Sequence, residues 1–318
     1  MRIVAIEEHY ATPELLEATG LDLSWLPDDP HDRLLDTVDA RLADMDAAGI
    51  DLQVLSAVGP ATQDLPDAVA LPLARRLNTG LHDTIAAHPD RFAGFATLPT
   101  GNIDAAATEL EHSVTELGLV GALVNGTIQG RFLDHPDCAP ILQAAARLNV
   151  PLYLHPGVPP QPVLGAYYAG LKPPLARMLA TAGYGWHYET SLHALRLVVS
   201  GVFDRYPQLR IILGHLGEGI PFHLARIEDM LTPLAPDLSH PVSSYFHTHF
   251  WVTTSGYFYD GPFELTRQVF GDDRIIFSVD YPYSDNKRAT AWLRWLAVDQ
   301  ETREKLAHRN ADHLLGLR

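Results

Sequence analysis

A chain of 318 residues with 47% hydrophobic content can bury a large core, and α/β barrels often run this long as one domain, so length does not force a split. The formal net charge of -16 argues against nucleic acid, whose phosphates demand a basic face, but leaves room for a small anionic substrate met by a bound cation or a few arginines. A single cysteine, Cys138, rules out an internal disulfide and a thiolate zinc cluster and fits a reducing cytoplasm, and no apolar run approaches membrane-spanning length.

The chain opens directly on a strand, RIVAI, with no charged-then-apolar leader. Short apolar runs bounded by turn residues predict eight strands, at 2–6, 52–58, 92–98, 120–124, 151–155, 209–214, 250–255 and 274–279. Helical spacing falls between them: Val38, Leu42 and Met45 before Gly49, and Leu110, Val114 and Leu117 before Gly118. Further helices are expected over 67–87, 137–148, 191–205, 221–231, 261–269, 287–296 and 302–315. Strict alternation with eight strands reads as a (β/α)8 TIM barrel, one domain over 1–318. The connection after the fifth strand, 156–188, is long and rich in Pro, Gly, Tyr and Leu, and reads as a lid or an oligomer arm over the barrel mouth. A second insert, 22–36, carries Trp25 and two prolines.

Four strand-end signals carry the chemistry. In IVAIEEH, Glu7 and His9 are two residues apart, so on an extended strand both face one way while Glu8 faces the other. PLYLHPG ends a strand with His155, RIILGHLGEG with His215, and RIIFSVDYPYSD with Asp280. One such residue alone is ordinarily a cap or a satisfied polar group. Four strand ends, with no cysteine cluster to compete, describe one metal site at the C-terminal mouth, where barrels of this class do their chemistry. Imidazole with carboxylate suits Zn, Mn or Fe, and three or four protein ligands leave a position for water or substrate. His247-Thr248-His249 precedes the seventh strand; read as extended, its two imidazoles share a face, but at the strand's opening and far from the mouth.

With these residues in place, the chain resembles the amidohydrolase superfamily, and within it the branch of metal-dependent decarboxylases acting on γ-resorcylate, 2,3-dihydroxybenzoate, 5-carboxyvanillate or aminocarboxymuconate semialdehyde. The likeness runs through AIEEHYATPE, RLADMDAAGID, GALVNG, YLHPG, the stretch from GWHYETSLHALRL to LGHLGEG, PFHLARIEDM and FSVDYPY. Glu7-x-His9 stands where most hydrolase members have His-x-His, and resembles the Glu-x-His of the hydroxybenzoate decarboxylases. Strand four ends in Val124-Asn125-Gly126, without a lysine to carbamylate and bridge two metals, so one divalent ion, Zn or Mn, is implied.

The resemblance implies non-oxidative decarboxylation of an ortho-hydroxybenzoate-type acid. Glu7, His9, His155 and Asp280 then hold the ion, Asp280 protonates the ring carbon, and His215 with Glu218 forms a polar relay beside it. The other reading is hydrolysis of a small amide or lactone by a metal-activated water, with Asp280 as base. Tyr10, Trp186, Tyr281 and Tyr283 neighbour the site segments as candidate aromatic walls, although aromatics near strand ends are more often packing. Asn125 either faces the pocket or holds its turn. Arg226 resembles an arginine of the substrate pocket or the subunit interface. Expected partners are a small aromatic carboxylate and further copies of the chain as a dimer or tetramer, with neither nucleic acid nor membrane.

Overall fold

The computed structural model describes residues 1–24, 26 and 30–317. Trp25 and one of the two prolines of the 22–36 insert, Pro27, lie outside the described residues. Among the described residues nine parallel strands form two sheets: β1 (Val4–Tyr10), β2 (Leu52–Ala57) and β3 (Phe92–Gly94) in one, and β4 (Ala96–Thr97), β5 (Ala122–Asn125), β6 (Pro151–His155), β7 (Arg210–Leu213), β8 (Phe250–Thr253) and β9 (Ile275–Ile276) in the other. The third expected strand is interrupted at Phe95, whose N–H still reaches Leu55 O at 2.9 Å while Ala96 N–H reaches Gly121 O at 2.8 Å. β3 and β4 are therefore one stave in two pieces. The last seam closes through His9 N–H to Tyr281 O (2.7 Å) and Glu7 N–H to Ser278 Oγ (2.8 Å). Alternating strands and helices thus wind into the TIM barrel.

Strand alternation divides the core in two. Val4, Ile6, Leu52, Val54, Phe95, Leu123, Tyr153, Ile212, Trp251 and Ile276 fill the barrel, plugged from below by Leu314 and Leu315. Neighbouring strand residues such as Ala5, Leu55, Leu154 and Ile211 turn outward and pack with the helices. Apolar layers at the base give way upward to inward polar residues, so the mouth is the polar end of an otherwise dry cylinder.

Several expected elements differ. The connection after β6 is largely helical: Gln161–Tyr167 and Pro173–Ala180 form helices, and the next begins at Gly185 rather than 191, running to Val199. Prolines near both short helix starts concealed them, because proline disrupts a helix interior but suits its first turn. After Ser200 that third helix breaks at Gly201 (φ 71°) and resumes as Val202–Arg205. Short helices Pro13–Thr19 and His31–Leu35 occupy the region after β1. The helix expected over 302–315 is interrupted by a π-turn at Lys305–Arg309, beside Asn310, whose side chain caps Asp272 O and Ile275 O at 2.7 Å.

His247 and His249 need correction. They lie in a helix, Val242–His249, where residues two apart do not share a face. His249 hydrogen-bonds Leu209 O at 3.0 Å and stacks on Phe203, with ring centres 4.5 Å apart. It is a packed structural histidine. Among the described residues no helix is long and apolar enough to cross a membrane.

Candidate active site

β1 aims the first two residues. Its register against β2 slips between Ala5 and Glu8, an inserted residue that breaks simple alternation. Val4 and Ile6 point into the barrel, yet so do Glu7 and His9, while Glu8 and Tyr10 point out toward the helices. Glu7 is fully buried. Its Oε2 accepts from Tyr153 OH, Ser255 Oγ and Thr253 Oγ1, and these donors fix the carboxylate from below. Its Oε1 has no hydrogen-bond partner and lies 3.6 Å from His155 Nε2.

Both imidazoles are held by one nitrogen and present the other. His9 Nδ1 sits 3.2 Å from Ser56 Oγ, and His155 Nδ1 is 2.8 Å from Pro156 O. A nitrogen facing a carbonyl carries the proton, so His155 Nε2 is left with a free lone pair. His9 Nε2 is buried without a hydrogen bond and lies 3.3 Å from Asp280 Oδ1. One ligand atom each from Glu7, His9 and His155 falls within 4.8 Å of the others. Two orphaned, buried atoms and a bare imidazole nitrogen converging on one point suit a cation, because leaving such groups unpaired is costly otherwise. Burial pushes the Glu7 carboxyl upward, partly offset by the nearby histidines, and holds the His155 imidazole down at about 3. A neutral imidazole is the form that binds a metal.

Asp280 stands beside this cluster, with its Oδ1 against His9 Nε2. Its Oδ2 lies 3.7 Å from His215 Nε2. Burial works against its charge, but the close approach of His215 and His9 prevails and holds its carboxyl at about 2. His215 Nδ1 meets Glu218 Oε1 at 2.6 Å, and Glu218 Oε2 meets His187 Nδ1 at 2.6 Å. Burial opposes ionising both His215 and Glu218; each nevertheless stabilises the other's charge, so the imidazole is raised well above its usual range and the carboxyl lowered to about 2. Gly214 leaves little room beside the site: a Cβ there would come within 3.1 Å of Glu7 Oε2 and 3.2 Å of Glu218 Oε1.

His187, absent from the sequence reading, is the chief addition. It bridges Glu218 to Tyr257 OH (3.0 Å); it lies in the GWHYETSLHALRL stretch that carries the resemblance but was not itself singled out. With His215 and Glu218 it forms a second cluster of ligand-type side chains, but both Glu218 oxygens are already bound by imidazoles, which makes it an orienting group. Tyr153, Ser255 and Ser56 were also missed, because strand residues below a mouth read as ordinary β positions.

The aromatic candidates divide. Trp186 stands 6.3 Å from the His155 ring and Tyr283 5.8 Å from the His9 ring, so both border the mouth. Tyr10 does not: alternation beyond the bulge turns it outward, buried, with its hydroxyl 3.5 Å from Leu77 O. Tyr281 is likewise buried, its ring 4.6 Å from the Arg41 guanidinium on the outer side of the wall. Asn125 ends β5 with its N–H and carbonyl bound by Gln63, and its buried Oδ1 is unpartnered. Arg226 lies exposed on helix Ile220–Leu231, outside the cluster.

The amidohydrolase family model matches residues 6–317. The chain belongs to the amidohydrolase family. This amidohydrolase is 39% identical to the γ-resorcylate decarboxylase of Rhodococcus jostii over 99% of its own length and 98% of the relative's. The crystal structure of a Rhizobium 2,6-dihydroxybenzoate decarboxylase superposes with a TM-score of 0.90 at 38% identity, covering 100% of this chain and 99% of that one. A dihydroxybenzoic acid decarboxylase from Polaromonas, solved with manganese and the inhibitor 2-nitroresorcinol, gives 0.90 at 37% identity over 99% and 97%.

Proposed function

We propose that this amidohydrolase is a metal-dependent, non-oxidative decarboxylase of a small aromatic acid bearing a hydroxyl ortho to its carboxylate. The observation that carries the reading is the Asp280 carboxylate, one oxygen 3.3 Å from His9 Nε2 and the other 3.7 Å from His215 Nε2, beside the Glu7, His9 and His155 cluster. Near-full-length similarity to γ-resorcylate decarboxylases supports the same chemistry. Glu7, His9 and His155, with Asp280 beside His9, would hold one divalent ion, and manganese in the Polaromonas relative favours that metal over zinc. Bound there, the ion supplies positive charge for the substrate's carboxylate and phenolate oxygens.

The protein's own groups manage the proton. Decarboxylation breaks the bond from ring carbon to carboxylate, leaves the electron pair on carbon and consumes one proton. Asp280 delivers that proton to the ring carbon. His215 resupplies Asp280 through Nε2, and Glu218 keeps the His215 ring oriented by its contact with Nδ1. Trp186 and Asn125 border the ring-binding space. Incubating the metal-loaded protein with hydroxybenzoates and measuring carbon dioxide tests the reading; cleavage of amides or lactones with no carbon dioxide would overturn it.

The assembly is proposed to be a dimer or tetramer in a reducing cytoplasm. Leu171, Leu175 and Leu179, four residues apart, stand exposed on the insertion, with Tyr184, Tyr188 and Phe222 also exposed. Arg226 follows Phe222 by one helical turn, which places it beside this apolar face. Light scattering that finds a monomer would refute the assembly.

A further inference from the structure

β1 carries a second carboxylate between the two residues assigned to the ion. Glu8 is fully buried in the barrel wall, facing away from the mouth. Its carboxylate accepts from the N–H of Val279 (2.9 Å) and of Tyr281 (3.2 Å), and from Ser278 Oγ (3.3 Å). Those two amides flank Asp280, whose φ of 71° lies in the left-handed region that a Cβ disfavours. Backbone amides bent around such a residue form a concavity that binds an anion, and here the anion is the Glu8 side chain.

Arg41, from helix Asp39–Ala48, lies behind it and is also fully buried. It donates to His9 O at 2.5 Å and to Gln53 Oε1 at 3.1 Å, and Gln53 Nε2 donates in turn to Glu8 Oε2 at 3.4 Å. One network therefore grips the backbone of His9 and both sides of Asp280, at the seam where the barrel closes through few backbone bonds. A buried carboxyl and a buried guanidinium are an expensive way to fill a barrel wall, and apolar side chains of similar volume would pack there at less cost.

We infer that Glu8, backed by Arg41 through Gln53, is a positioning residue that sets the Asp280 backbone so that its carboxylate faces His9 and the ion. The inference rests on the ligand set proposed above but not on the reaction. Its test is metal affinity of the apoprotein, read by competition with a chelator. In Glu8→Gln the side-chain amide accepts from one N–H and opposes the other, and affinity should fall roughly 10- to 100-fold.

A double-mutant cycle with Asp280→Asn separates positioning from general damage. If Glu8 acts through Asp280, Glu8→Gln adds less than about twofold once Asp280 is altered. Additive losses, or unchanged affinity in Glu8→Gln, overturn the proposal. Should Glu8→Gln fail to fold, the same cycle is run with Gln53→Leu, which keeps Glu8 and Arg41 and cuts the link between them; the same outcomes decide. Wild-type affinity in Asp280→Asn alone overturns the proposal together with the ligand assignment, whereas a failure to release carbon dioxide strikes only the reaction.

Discussion

Replacing Asp280 by Asn separates its two proposed tasks. The amide has nearly the same shape, so it fits between His9 and His215, where the carboxylate oxygens now lie 3.3 and 3.7 Å from the two imidazoles. It keeps one oxygen as a weak ligand but carries no proton that it can give to carbon. Two anionic ligands among the proposed four become one, so affinity for the ion should weaken while saturation at higher metal remains attainable. Turnover at metal saturation should fall by about 10² to 10⁴, or roughly 2.7 to 5.5 kcal/mol in barrier. The assay is carbon dioxide release from a hydroxybenzoate after reconstitution with manganese, paired with mass spectrometry of the product formed in deuterium oxide. The wild type should place one deuterium at the carbon that bore the carboxylate. A metal-saturated Asn variant that turns over at near the normal rate would refute the assignment of the acid and move it to His215.

His155→Ala should abolish both metal binding and activity while leaving the circular-dichroism spectrum intact, because the side chain tops the barrel above a core it does not fill; a spectrum that collapses would make the metal structural. Metal analysis should find one divalent ion per chain, and chelation followed by manganese addition should restore activity. Glu218→Gln should lower kcat more than it raises KM, since it releases the orientation of His215 without removing a proposed ligand; an unchanged kcat would contradict that. Glu189, half-buried with Oε1 unpartnered, has its carboxyl pushed up by burial to about 7. A raised acid pKa means the folded state holds its proton more tightly than the unfolded chain, so this contribution to stability is present below about 4.5 and lost as pH rises through about 7. Glu189→Gln should therefore raise the melting temperature at pH 8 and leave it little changed at pH 4.5; equal shifts at both would refute the mechanism.

Much of this protein is written in its order of residues. Apolar runs alternating with helical spacing specify a barrel, because each stave must bury both faces while each helix buries only one stripe. Strand ends at His155, His215 and Asp280 locate the mouth, since a polar side chain at the end of a buried run has solvent only there. What lies beyond the runs was less legible. The helices of the insertion after β6 hid behind prolines that favour a first turn, and His187 hid with them. Val242–His249 is helical although its two histidines suit a strand, because tertiary packing of Phe203 against His249 outweighs local pattern.

Glu7 and His9 show the division most clearly. Their spacing by itself determined that they share a face. Which face it is was decided only by the folded barrel: with Val4 and Ile6 inside, plain alternation would have sent Glu7 and His9 into the helical layer. The slip in register between β1 and β2 reverses that parity, and it brings both residues into the mouth while turning Glu8 and Tyr10 outward. A bulge of this kind depends on how neighbouring staves pair and on the contacts that close the last seam, which reach Ser278 and Tyr281 at the far end of the chain. Local sequence supplied the ligands and their spacing; long-range closure of the barrel pointed them at one another.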